Sequence, residues 1–116
     1  VGFVEPESLS QLQAAAELFV FPSRQEGFGL PVLEAMAQGT AVITSSGTST
    51  EEVIGDCGVV VDPSDVDALR TEMNRLLADD AERDRLGHAG LNRATSLFTW
   101  EKTAKALQSA YEEAMA

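Results

Sequence analysis

Apolar and polar residues follow two different rhythms along this chain, and the change comes near Pro63. Before it, the stretches "ELFVFPS", "TAVITSS" and "GVVVD" each hold a short apolar run, rich in β-branched or aromatic residues and bounded by turn formers. Such runs are too short for helices and predict three buried strands. Val1 to Val4 reads as the end of a further strand. After Pro63, Leu69, Met73, Leu76 and Leu77 recur at helical spacing. A second helical run covers about 80–97, and a third starts near Thr99 and carries Trp100, Ala104, Leu107 and Tyr111.

Helices also fill the gaps between the strands. Ser8 with Gln11 has capping-box spacing ahead of a helical stretch through Gln13 to Ala16. Pro31 suits a first helical turn, and Gly39 suits the residue just past that helix's end. "SSGTSTEEVIGD" predicts a loop with one or two helical turns, Ser49 and Glu52 having capping-box spacing. Ser64 and Asp67 repeat that spacing ahead of the first C-terminal helix. Strands alternating with helices predict an α/β fold with a parallel sheet over residues 1–63. The three successive helices of residues 64–116 are expected to cap one face and edge of that sheet.

With 116 residues the chain is one domain with one modest core, or a piece of a larger one; the start at Val1 favours a piece. No apolar run is long enough to span a bilayer. Eight Lys and Arg against nineteen Asp and Glu give a net charge of −11. That sign disfavours nucleic acid and anionic membrane surfaces as partners. Cys57 is the single cysteine, which fits a reducing cytoplasm and rules out an intrachain disulfide or a cysteine-based zinc cage.

The chemistry concentrates in "QEGFGLPVLEAMAQG", residues 25–39. It follows a predicted strand directly, where ligands of open parallel sheets bind. Gly27 and Gly29 let backbone approach a ligand, and the amides of Gly29 and Leu30 at the positive end of a helix make a seat for a diphosphate. Glu26 lies in the loop, able to accept hydrogen bonds from hydroxyls. Glu34 falls off the apolar stripe of Val32, Leu33, Met36 and Ala37, so it lines a crevice rather than the core. Two acceptors flanking a phosphate seat suit a nucleotide sugar. The alternative stays open that this is a plain Gly-Phe-Gly turn, with a glutamate stabilising a helix N-terminus and no ligand.

The longer stretch "PSRQEGFGLPVLEAMAQGTAVITS" closely resembles the signature of family 4 of the retaining glycosyltransferases, which have the GT-B fold. Glu26 and Glu34, with seven residues between them, match that family's E-x7-E motif. "GVVVDPSD" and "FTWEKTAKAL" with the later tyrosine extend the likeness over nearly all the chain. The resemblance implies a three-layer Rossmann-like fold, the C-terminal donor-binding domain of such an enzyme over residues 1–116, truncated at its N-terminal side. It implies transfer of a sugar from a nucleotide diphosphate to an acceptor, with no cofactor and usually no metal. Glu26 would support the reaction and, with the backbone of Gly27, Phe28 and Gly29, hold the donor sugar. Gly29 and Leu30 would meet the diphosphate, and Glu34 the ribose. The fragment alone is expected to be inactive, and the intact enzyme cytoplasmic or peripheral to a membrane.

Two departures from the family pattern are Ala41 and Glu51, each in place of a usual proline. The elements that would supply basic residues for the phosphates, and the N-terminal domain that would bind the acceptor, are expected to be missing partners. The strand at Leu18 to Phe21 would then expose an edge, filled by Val1 to Val4 or by a second copy. Other features read as structural: Asp65 and Asp67 as helix-start residues rather than a metal pair, His88 as a surface residue, Cys57 as packed, Trp100 and Tyr111 as packing anchors. Two rival functions are a self-associating folding module without catalysis and a regulatory nucleotide-binding module of flavodoxin type.

Overall fold

The computed structural model describes residues 2–116. Six helices and three strands follow one another as α1 (Pro6–Ala15), β1 (Phe19–Phe21), α2 (Leu30–Ala37), β2 (Val42–Ser45), α3 (Ser49–Ile54), β3 (Val59–Val61), α4 (Val66–Leu77), α5 (Asp80–Leu97) and α6 (Trp100–Met115). The strands form one parallel sheet in the order β1-β2-β3, with Val20 opposite Ile43 and Thr44 opposite Val60. All three fall in the expected apolar runs. Only central β2 is buried throughout; β1 and β3, each lacking a neighbour on one side, are partly exposed.

Side-chain alternation sorts the sheet into two faces. Phe19, Phe21, Val42 and Val60 meet Val32, Ala35 and Met36 of α2, Val53 and Ile54 of α3, and Ala94 of α5. Val20, Ile43, Val59 and Val61 meet Leu69, Met73 and Leu76 of α4 and Leu86 of α5. Helices on both faces of a parallel sheet agree with the α/β fold that the alternating pattern predicts, in the three-layer form that the family resemblance implies. Cys57 packs at the margin of the first face, half-buried.

Helix α5 joins the two layers, and small residues let it do so. Gly90 rests on Met36, and a Cβ on Gly87 would overlap the carbonyl oxygen of Gly39. That carbonyl belongs to the end of α2. There Gly39 N–H donates to Met36 O at 2.9 Å and Thr40 N–H to Ala35 O at 3.1 Å, the paired bonds of a Schellman cap. The helix end predicted at Gly39 is therefore also the surface on which α5 lies.

Several local expectations need correction. Residue 1 lies outside the described residues, and residues 2–4 form no strand, so nothing described fills the open edge of β1. α1 begins at Pro6, behind Glu5 as N-cap, because proline is pre-set for the first helical position; the Ser8–Gln11 box does not form. At α4 the cap is Asp65, whose carboxylate accepts from Ala68 N–H at 2.9 Å, whereas Ser64 is turned back to Asp62. Finally, α6 caps nothing. None of its residues is buried, Trp100 is 89 % and Tyr111 61 % exposed, and the molecule extends to 54 Å along one axis. These two aromatic residues are not packing anchors within the chain.

Gly87→Ala should lower stability by about 1–3 kcal/mol in urea unfolding, since the overlap with Gly39 outweighs the helix propensity gained. A neutral or stabilising result would mean α5 does not sit on the end of α2 as described.

Candidate functional site

Because β1 and β2 are parallel, the loops leaving them open on the same end of the sheet. Residues 22–29 lead from β1 into α2, and residues 46–48 lead from β2 into α3. Gly29 is the N-cap of α2 in a left-handed conformation, φ 97° and ψ 44°. A Cβ there would also come within 2.5 Å of Thr50 Cγ2, so both backbone and neighbour demand glycine. Gly29 O accepts from Val32 N–H at 3.0 Å and Leu33 N–H at 3.2 Å. Pro31 has no N–H to give. The Leu30 amide, at the first helical position, has no intrahelical acceptor and points out along the positive end of α2.

Around that end the predicted residues separate. Glu26 is half-buried and lines a polar cleft of about 400 Å³ with Arg24, Gln25, Thr48, Ser49 and Glu52. Gly27 has open space where a Cβ would stand. Phe28 turns its side chain the other way, edge-on to Phe98 with centroids 6.0 Å apart, above an apolar groove of about 410 Å³ shared with Leu33 and Trp100. Glu34 is exposed on the flank of α2, over a shallow depression formed by Leu33, Ala37, Ala94, Thr95 and Phe98. Glu26, Gly29 and Leu30 thus share one end of the sheet. Glu34 is off the core, as its helical phase requires, but lines a different depression from Glu26.

The second loop and the start of α3 hold contacts that the sequence pattern did not indicate. Ser49 is not a capping residue: its hydroxyl donates to Glu26 O at 3.1 Å, joining the two loops. Thr48 occupies the N-cap of α3, and Glu51, not Glu52, reaches back to accept from Gly47 N–H at 2.9 Å. Thr50 is fully buried, its hydroxyl 2.8 Å from that of Thr44 and 2.6 Å from that of Thr48. The dense hydroxyl run "SSGTST" was the available signal, but it reads equally well as a solvated loop. Arg93 of α5 fixes the other end of α3, donating to Val53 O and Glu52 O, both at 2.9 Å.

A cavity of about 670 Å³ runs along the outer edge of β3 beside α4. Its charged groups already have local partners, Arg75 with Glu72 at 2.8 Å and Asp65 with the first turn of α4. His88 is exposed, with Nδ1 2.7 Å from Asp84 O of its own helix.

Residues 1–93 match the family model described as glycosyl transferases group 1. The chain belongs to this family. Among its relatives are the O-antigen chain mannosyltransferase B of Escherichia coli, 46 % identical over 97 % of this chain and 29 % of that protein. The MMP alpha-(1->4)-mannosyltransferase of Mycolicibacterium hassiacum is 42 % identical over 95 % of this chain and 28 % of its own length. Among solved structures, the sucrose-phosphate synthase of Thermosynechococcus elongatus superposes with a TM-score of 0.88 and 37 % identity, over 99 % of this chain and 29 % of that one. This chain of the group 1 family therefore spans less than a third of these relatives' lengths. Its structural neighbours are GT-B glycosyltransferases, in agreement with the fold expected from the sequence.

In this group 1 domain Gly29→Ala should cost about 1–3 kcal/mol in urea unfolding. Gly27→Ala, with open space and no positive φ, should change stability by less than about 0.5 kcal/mol. Equal effects at the two glycines would contradict the close approach of Gly29 to Thr50.

Proposed function

We propose that residues 1–116 are the donor-binding part of a retaining, family 4-type glycosyltransferase. The observation that supports this is the left-handed Gly29 cap, which puts the exposed Leu30 at the positive end of α2, on the same end of the sheet as Glu26. A diphosphate placed there is stabilised by the helix end. When the bond from the sugar's anomeric carbon to the diphosphate breaks, negative charge develops on the departing phosphate, and the same amide and dipole meet it. Glu26 accepts hydroxyls of the sugar from the polar cleft, and Glu34 takes the ribose on the flank of α2. No metal or cofactor is assigned besides the donor. Two relatives are named mannosyltransferases, which supports a hexose, mannose first among them, as the transferred group.

In an enzyme of the relatives' length, the acceptor site and the transfer step would need chain beyond these residues. The apolar face of α6 (Trp100, Leu107, Tyr111 and Met115) and the open edge of β1 are the surfaces such further chain would cover. Among the described residues, no helix is long and apolar enough to cross a membrane. We place the enzyme in the cytoplasm, where an unpaired Cys57 is stable.

The same surfaces favour the rival reading of a self-associating module. Sedimentation of the 116-residue chain alone should show a dimer or larger species through them. A clean monomer at tens of micromolar would remove that reading.

Calorimetric titration separates the site roles. Glu34→Ala should weaken both a nucleotide sugar and the bare nucleoside diphosphate, each about tenfold. Glu26→Ala should weaken only the nucleotide sugar, down to the level of the bare diphosphate. A nucleotide-binding module without sugar recognition would instead leave Glu26→Ala indistinguishable from the parent chain.

A further inference from the structure

We propose that Ser49 and Thr50, the first two residues of α3, are positioning residues for the 26–30 segment and set where Glu26 and the Leu30 amide point. The inference rests on the reading of that segment as the donor site. It begins from how little the segment does for itself. Between the end of β1 and Gly29, the side chains of the loop supply one local hydrogen bond, Ser23 Oγ to Gln25 O at 3.0 Å. Its other fixed points come from α3 and from Phe28, which packs edge-on against Phe98. Ser49 Oγ holds the Glu26 carbonyl at 3.1 Å, and the methyl of Thr50 lies where a Cβ on Gly29 would stand.

Those two contacts act as fixed points because α3 itself cannot slide. The Thr50 hydroxyl is bonded to Thr44, whose own hydroxyl is 3.1 Å from Phe21 O, so β1, β2 and α3 meet through buried oxygen atoms. A hydroxyl carries one proton and two lone pairs, so the run from Thr48 through Thr50 and Thr44 to Phe21 O can be satisfied throughout. The far end of α3 is held by Arg93, which also lies over the Phe98 ring at 5.8 Å from its centroid. Removing the Ser49 hydroxyl would free the Glu26 carbonyl without disturbing the core. Removing the Thr50 hydroxyl would take one contact from each of Thr44 and Thr48, leaving Thr44 its bond to Phe21 O and Thr48 its 3.4 Å contact with Ser45 O.

The test uses the whole 116-residue chain, with Ser49→Ala, the conservative Ser49→Thr, and Thr50→Val as a second site. Backbone ¹⁵N order parameters are measured without ligand, and GDP-mannose and UDP-glucose are then titrated calorimetrically. In the parent chain the amides of Gly27 to Leu30 should lie near the rigid value of about 0.85. Ser49→Ala should bring them toward about 0.6 while the amides of β2 stay unchanged. Nucleotide-sugar affinity should fall about three- to tenfold, and Ser49→Thr should restore both readings. Unchanged order parameters in Ser49→Ala would overturn the proposal, as would a loosened segment that binds donor as tightly as before. If the parent chain binds neither nucleotide sugar, the donor reading fails by itself, and the order parameters still decide whether Ser49 positions the loop. If Thr50→Val does not fold, the Ser49 pair carries the test.

Discussion

The approach of Gly29 to Thr50 is the contact on which the rest of this site depends. A glycine in a left-handed conformation turns the chain from β1 into α2 within a few residues, and a buried threonine methyl fills the space a side chain would have taken. From that one contact follow the direction of α2, the outward amide of Leu30 and the place of Glu26 beside the second loop. Glycine here is a packing requirement before it is a binding one. The geometry at the start of α2 is therefore set by packing within the chain; on the proposed reading, this lowers the ordering cost of binding a donor there.

The chain carries net charge −11, and the cleft at this end of the sheet brings Arg24 together with Glu26, Glu51 and Glu52. Glu26 lines that cleft, whereas Glu34 lies exposed on the flank of α2 over a separate depression. Their separation into different depressions is what a ligand longer than a single sugar would require. Membership of the group 1 glycosyl transferases, with relatives more than three times as long, fits a domain that binds one end of a reaction whose other end lies elsewhere in the protein.

Much of this was legible in the sequence. Three short apolar runs became three parallel strands, and the interval 80–97 became α5, because apolar spacing reflects burial on a sheet or a helix face. Caps were harder. Ser8, Ser49 and Ser64 each had the right partner three residues on, yet Glu5, Thr48 and Asp65 took the N-cap positions. Local geometry decided two of them, Pro6 starting α1 and Asp65 reaching its own first turn, while a tertiary contact with Glu26 took the Ser49 hydroxyl. Thr50 was not legible at all, because the contacts that bury it, with Gly29 and Thr44 among others, exist only in the folded chain. The stripe of Trp100, Leu107 and Tyr111 correctly marked an amphipathic helix, but a stripe says that a helix has a partner and not that the partner is the neighbouring sheet.

The most direct test of the account is the map of amide shifts in the ¹⁵N-labelled chain as a nucleoside diphosphate sugar is added. The account predicts the largest changes at Gly27, Gly29 and Leu30, with smaller ones at Glu34 and Ser49 and none along β3 and α4. Shifts centred on the β3–α4 cavity, or absent from the start of α2, would contradict it.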